Sequence, residues 1–281
     1  MEPGLDWILT RLSQHDRVMY LILYVVTCIV ISIGLPLMIV TIYALLYLVR
    51  KGQVAPIYVI NLLISDIIQL CCMIVLVSNH GTPMAEAVYS CGLMTSVCFM
   101  VCISLERYLV IVHPLWYRFK RTIKISVAVC AVVWAFPAVC FLIVFPRVPD
   151  KVPLIVLSIF HIIPFPLFIF FLVRSLRTLS SSVSVHSDEK RQIVGTLVVV
   201  LLIYTLLFLP TIIMFLLLMA DFYSVMFHFM SDMLLSLSPL ADLLLYIFIR
   251  KQTMGNCLAS VCCCKKESND PTTSAVTVDD I

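Results

Sequence analysis

Ser104-Leu105-Glu106-Arg107-Tyr108-Leu109-Val110-Ile111-Val112-His113-Pro114-Leu115 sets two opposite charges at the end of a run, Gly92 to Leu105, that carries no charged residue. Holding even one ion in hydrocarbon costs at least about 2.5 kcal/mol, so charges at such depth are rare and mark functional sites. The plainer reading is that Glu106 and Arg107 end a helix at the headgroup level, their apolar stems lying in lipid and their heads in water. Which reading holds depends on the rest of the chain.

Working outward, 62% of the 281 residues are apolar and 12% are charged, against roughly 25% charged in a soluble domain. A bilayer-spanning helix needs about 20 mostly apolar residues. By that measure seven spans are expected, at 18–49, 55–79, 83–112, 122–146, 152–178, 190–219 and 222–249. The alternating runs of about ten residues that build membrane barrels are missing. The fold class is therefore an all-α membrane protein, a bundle of seven transmembrane helices. The residues before the first span show no cleavable leader pattern, so that span is expected to serve as the insertion signal.

Fifteen of the nineteen Lys and Arg fall on one side of these spans, among them Arg107, Arg118, Lys190, Arg250 and Lys251; Arg11, Arg17, Arg147 and Lys151 fall on the other. Cations favour the cytoplasmic face, which puts the N-terminus (residues 1–17) outside and the C-terminus inside. The net charge of +3 is spread over membrane-proximal anchors rather than a nucleic-acid patch. Of twelve cysteines, eight lie inside spans, where thiols pack as small apolar groups. Cys257, Cys262, Cys263 and Cys264 follow the last span. No cysteine lies in an outer loop, so no extracellular disulfide is expected. The four trailing cysteines beside cations suit palmitoylation and a short amphipathic eighth helix over 250–264, zinc binding being the rival reading. Residues 265–281 read as a disordered cytoplasmic tail.

ERYLVIVHPL is very similar to the DRY-type signature that closes helix three of rhodopsin-like (class A) G-protein-coupled receptors. Asn61-Leu62-Leu63-Ile64-Ser65-Asp66 resembles that family's NLxxxD motif, and Asp242-Leu243-Leu244-Leu245-Tyr246 its NPxxY motif in DPxxY form. Phe208, two residues before Pro210, stands where most members carry Trp, with Tyr204 one turn earlier. In motif style this is nearest to the purinergic-like, proton-sensing branch. The chain departs from the pattern at Met38, where Asn is usual; at Leu243, the proline having moved to Pro239; at Leu172, where Tyr is usual; and in the missing outer disulfide.

The resemblance implies a receptor in the plasma membrane that passes an extracellular stimulus to heterotrimeric G proteins, with arrestin and receptor kinases as further partners. It assigns the switch to Glu106, Arg107, Tyr108, Pro114, Leu115, Tyr204, Phe208, Pro210 and Tyr246. Pro210 kinks helix six, and Leu115 is the apolar residue offered to the Gα surface. Lys190 stands where some members place an acid that holds the Arg, which predicts basal activity. The resemblance also implies a polar pocket at Asp66, Ser96, Ser238 and Asp242. There a sodium ion, a shared proton or a neutral Asp66 hydrogen-bonded in the bundle would each be chemically sensible. No other cofactor or metal is expected.

For the stimulus, the outer half offers Glu86, His161, His228 and Asp232. Asp232 suits an amine-bearing ligand, whereas His15, His80, His161 and His228 among acids suit proton sensing. Both readings stand beside the plain one of surface polar groups. Enzyme chemistry finds no motif around the carboxylates, and a transporter would show repeats that are absent. A receptor-like decoy or chaperone that does not signal is the main alternative.

Overall fold

The computed structural model describes residues 14–50, 57–78, 82–120, 123–149, 151–181, 187–222 and 224–248. The sequence expectations for the eighth helix, its cysteines, the tail and His80 fall outside these residues. The helices are α1 (Gln14–Arg50), α2 (Ile57–Val77), α3 (Pro83–Val112), α4 (Pro114–Lys120), α5 (Ile123–Val139), α6 (Lys151–Ile162), α7 (Pro164–Ser181), α8 (Ser187–Met219) and α9 (Val225–Ser236). A last helix, α10, covers Ser238–Phe248.

Five stretches are long and apolar enough to cross a bilayer, with α6 and α7 counting as one, and the pair α9 and α10 makes a sixth. The seventh expected span is the shorter α5, which continues through a π turn at Cys140–Val144 and a 3-10 turn at Phe145–Arg147. This is a multi-pass, all-α membrane protein. Its helices form a ring in which α1 meets α2 and α9, α9 meets α8, and α8 meets α6 and α7. Helix α3 lies at the centre, against α2, α5, α7 and α8.

Local chemistry explains where the helices begin and break. The Thr82 hydroxyl accepts the Ala85 N–H at 3.2 Å, Pro83 takes the first helical position, and Glu86 lies in the first turn. All three favour a helix start, since the cap fills an orphan donor and the acid faces the positive end of the dipole. At the other end, His113 precedes Pro114 and leaves the helical region at φ −131°, ψ 57°, as steric conflict with a following proline requires. Pro114 then opens α4, a helix inside what the sequence presents only as a loop.

Prolines set both breaks inside spans. Pro164 and Pro166 remove two N–H donors and crowd the carbonyls of Phe160 and Ile162, and the chain turns at Ile163 between α6 and α7. Pro239 does the same to Leu235, and α9 and α10 meet at 41°. The bend therefore lies about one turn before Asp242.

Contact between spans relies on small residues and filled cores, because lipid supplies no hydrophobic drive between helices. A Cβ on Gly34 of α1 would come within 3.3 Å of Leu240 and 3.4 Å of Leu70, so glycine permits the approach to α2 and α10. Met38 is fully buried in the core. Phe99, Phe168, Tyr204 and Phe208 are fully buried rings of the core. The eight cysteines within the described residues are all free thiols.

Candidate functional site

Three groups of sequence-predicted residues occupy three depths of the bundle. Deepest toward the expected cytoplasmic side, the Tyr108 ring stacks on Phe171 of α7 at 5.2 Å between centroids and meets His113 edge-on at 6.1 Å. Its neighbour Glu106 accepts a hydrogen bond from the Tyr117 hydroxyl of α4 at 2.5 Å. Tyr117 is a partner the sequence reading missed. The signal was available, in that Pro114 at a first helical position makes a turn of helix that brings residue 117 back toward 106. Arg107 is half-buried, and its Nε is sealed from water with no hydrogen-bond partner. Leu115 is 73% exposed on α4.

At mid-depth, Asp66 and Asp242 are both fully buried, as are Ser96 and Ser238. Ser96 Oγ donates to Asp66 Oδ1 at 3.0 Å. Gln69, one turn along α2, donates its amide Nε2 to Asp66 Oδ1 at 3.2 Å and to Ser96 Oγ at 2.7 Å. Ser65 Oγ lies 2.9 Å from Ser96 Oγ. Gln69 is a member of this cluster that the sequence reading did not name; its spacing of three from Asp66 puts it on the same face. Toward α10, the cluster leaves Asp66 Oδ2, Ser238 Oγ and both carboxylate oxygens of Asp242 buried and without hydrogen-bond partners. The two carboxylates lie within electrostatic reach of each other. Tyr246, below Asp242, is buried, and its hydroxyl also lacks a partner. Asn61 belongs elsewhere: its Oδ1 accepts the Trp134 indole N–H at 3.0 Å, tying α2 to α5.

Above this cluster, Tyr204 and Phe208 of α8 stack at 4.7 Å, and both are fully buried. The Tyr204 hydroxyl donates to the backbone carbonyl of His161 at 2.8 Å, a buried bond from α8 to α6 beside the proline break. Phe165 and Phe168 of α7 meet the same tyrosine ring edge-on at 5.0 and 5.1 Å. Pro210, six residues beyond Tyr204, lies inside α8.

The family model for the 7 transmembrane receptor (rhodopsin family) matches residues 37–151. These residues hold α2, α3, α4 and α5, and with them Asp66, Ser96 and the Glu106-Arg107-Tyr108 segment. Curated relatives include the type-1 angiotensin II receptor A of Mus musculus, 29% identical over 140 residues, and the human type-1 angiotensin II receptor, 27% identical over 140 residues. Each of these alignments covers 44% of this chain and 37% of the relative, so the match spans little more than a third of those receptors. Both comparisons support a rhodopsin-family receptor.

The outer residues of this receptor-like bundle do not converge on one point. His161 is buried with its Nδ1 2.8 Å from the Leu157 carbonyl, and Phe208 and Phe215 flank its ring at 5.5 and 5.7 Å. His228 and Asp232 pair with each other on α9 at 3.0 Å. With Met19, Tyr20 and Leu23 of α1 they line a small cleft. Glu86 is exposed in the first turn of α3. The outer ends of α6 and α8 are joined by Lys151 and Asp221, at 3.2 Å.

Proposed function

We propose that this protein is a rhodopsin-like receptor that couples an extracellular stimulus to heterotrimeric G proteins. The observation that carries the reading is Arg107, set at the inner end of the central helix with a buried donor left unsatisfied. Buried donors are almost always paired, so this one points to a second arrangement, or a partner, that satisfies it. In the resting arrangement Tyr117 holds Glu106, Tyr108 packs against α7, and Tyr204 holds α8 to α6. Outward motion of the inner half of α8 about Pro210 would open the floor of the bundle beneath Arg107. The exposed Leu115 would then offer its side chain to a Gα surface, as exposed apolar groups at interfaces do. An agonist acts here only by binding the open arrangement more tightly than the closed one.

The excess of cations on one side supports an outside N-terminus and a cytoplasmic tail in the plasma membrane, where arrestin and receptor kinases would have access. Cys257 and Cys262 to Cys264 would anchor the segment after α10 by palmitoylation. Phe208 and the DLLLY segment favour the purinergic-like, proton-sensing branch. The stimulus would enter near Asp232 and His228, whose carboxylate suits an amine-bearing group, with His161 acting deeper through its contact with Phe208.

The test is a panel of G-protein activation sensors, comparing wild type with Arg107→Ala at matched surface expression. Basal activity in one channel, abolished by the substitution, is the expected result. Silence in every channel, or activity that survives Arg107→Ala, would sink the coupling proposal in favour of a receptor-like protein that does not signal.

A further inference from the structure

The resemblance implies a sodium ion among Asp66, Ser96, Ser238 and Asp242, but the residues that surround two of these four do not fit it. A hard cation is held by oxygen lone pairs. A serine hydroxyl has one proton and two lone pairs to give. Ser96 Oγ directs its proton to Asp66 Oδ1 at 3.0 Å, receives the Gln69 amide at 2.7 Å, and has Ser65 Oγ against its remaining side at 2.9 Å. Asp66 Oδ1 is taken twice, by that hydroxyl and by the same amide at 3.2 Å. A cation approaching Asp66 Oδ1, or Ser96 Oγ from the side of Gln69, meets N–H and O–H hydrogens instead of lone pairs. The amide also has little room to withdraw. Gln69 is fully buried, and its Cγ lies so close over Gly92 that a Cβ there would sit 2.8 Å away.

We propose that Gln69 denies sodium to this pocket. Its amide is a tethered donor that supplies, from within the chain, the positive pole a bound cation would bring to Asp66 and Ser96. Glycine at position 92 is the complementary half of the device, because it makes the trough in which the glutamine lies. The closed arrangement of the bundle is therefore independent of sodium. What remains open, namely Asp66 Oδ2, Gln69 Oε1, Ser238 Oγ and the Asp242 carboxylate, lacks the Asp66 Oδ1 and Ser96 Oγ lone pairs that the resemblance implies.

Thermal unfolding of the full-length protein in detergent tests this without any signalling step, so its outcome is separate from that of the coupling experiment. Sodium chloride is compared with choline chloride at about 0.15 M, near physiological ionic strength. The wild-type midpoint is expected to be the same in both salts. Gln69→Ala, and Gln69→Leu as the variant that keeps the volume, are expected to melt higher in sodium, and adding Asp66→Asn is expected to erase that gain. A wild-type midpoint that rises with sodium overturns the proposal whatever the variants do. Variants that fold but gain no sodium response overturn it too, since the exclusion would then not be the work of Gln69. A wild-type sodium response that Asp242→Asn removes and Gln69→Leu leaves unchanged would place the ion on the α10 side and be equally fatal.

Discussion

Removing the hydroxyl of Tyr204 strips one buried hydrogen bond from between α8 and α6 and leaves the His161 carbonyl short of a partner. Such a bond contributes about 1 kcal/mol net, so Tyr204→Phe should shift a closed–open equilibrium roughly fivefold toward the open side. Basal sensor signal at matched surface expression should rise by that order. An unchanged signal would mean that the bond persists through activation. Tyr117→Phe makes the corresponding change at the inner end by releasing Glu106, and it too should raise basal signal. Both effects are expected to vanish in the Arg107→Ala background, because the protein would then lack the group that the proposed open state exposes. The two tyrosines differ in how far sequence could reach them. Tyr204 stands in a recognised motif before a kinking proline. Tyr117 has meaning only once α4 is known to be a helix, and seven residues give too little periodicity to announce one.

For the helices, the crossing of α2 over α3 has a sharper tolerance than any other contact described. Gly92→Ala places a methyl group 2.8 Å from Gln69 Cγ, and crowding of that kind costs about 1–3 kcal/mol. The substitution should lower the melting midpoint, whereas Gly92→Ala combined with Gln69→Ala should recover part of the loss, since the two changes act on one contact. Additive losses would show that the glycine matters for another reason. The same crossing marks where sequence reading stopped. Spans were legible because a bilayer imposes a length, but which prolines break a span was not: Pro164, Pro166 and Pro239 stand at breaks, whereas Pro36, Pro137 and Pro210 lie inside continuous helices. Asp66 and Ser96 were found through resemblance. Gln69 was passed over because its role depends on the register between two helices, which intrahelical spacing does not encode. His161 is expected beside Asp232 on the outer half of the bundle, yet it packs on Phe208 while Asp232 pairs with His228, a matter of helix rotation that composition leaves open.

Taken whole, the residues 37–151 that the family model matches carry Asp66, Gln69, Ser96 and Arg107, while Ser238, Asp242, Tyr204 and Pro210 lie beyond them. Orientation can be checked at this scale with epitopes. A tag at the N-terminus should be stained on intact cells and one at the C-terminus only after permeabilisation; the reverse pattern would refute the assignment made from the cations. The asymmetry of fifteen cations against four makes this the most strongly drawn of the proposals that sequence alone supports.

Free thiols at all eight described cysteines, together with outer loops that contain no cysteine at all, bear on the chemistry of the surroundings. Receptors stapled across their outer face lose shape when reductant breaks the staple. Here the outer ends of α6 and α8 are joined by the exposed Lys151–Asp221 ion pair, a link that salt weakens and dithiothreitol does not. Surface expression and melting midpoint should be the same with and without reductant. The protein should also mature in a reducing cell-free lysate that offers no oxidising compartment.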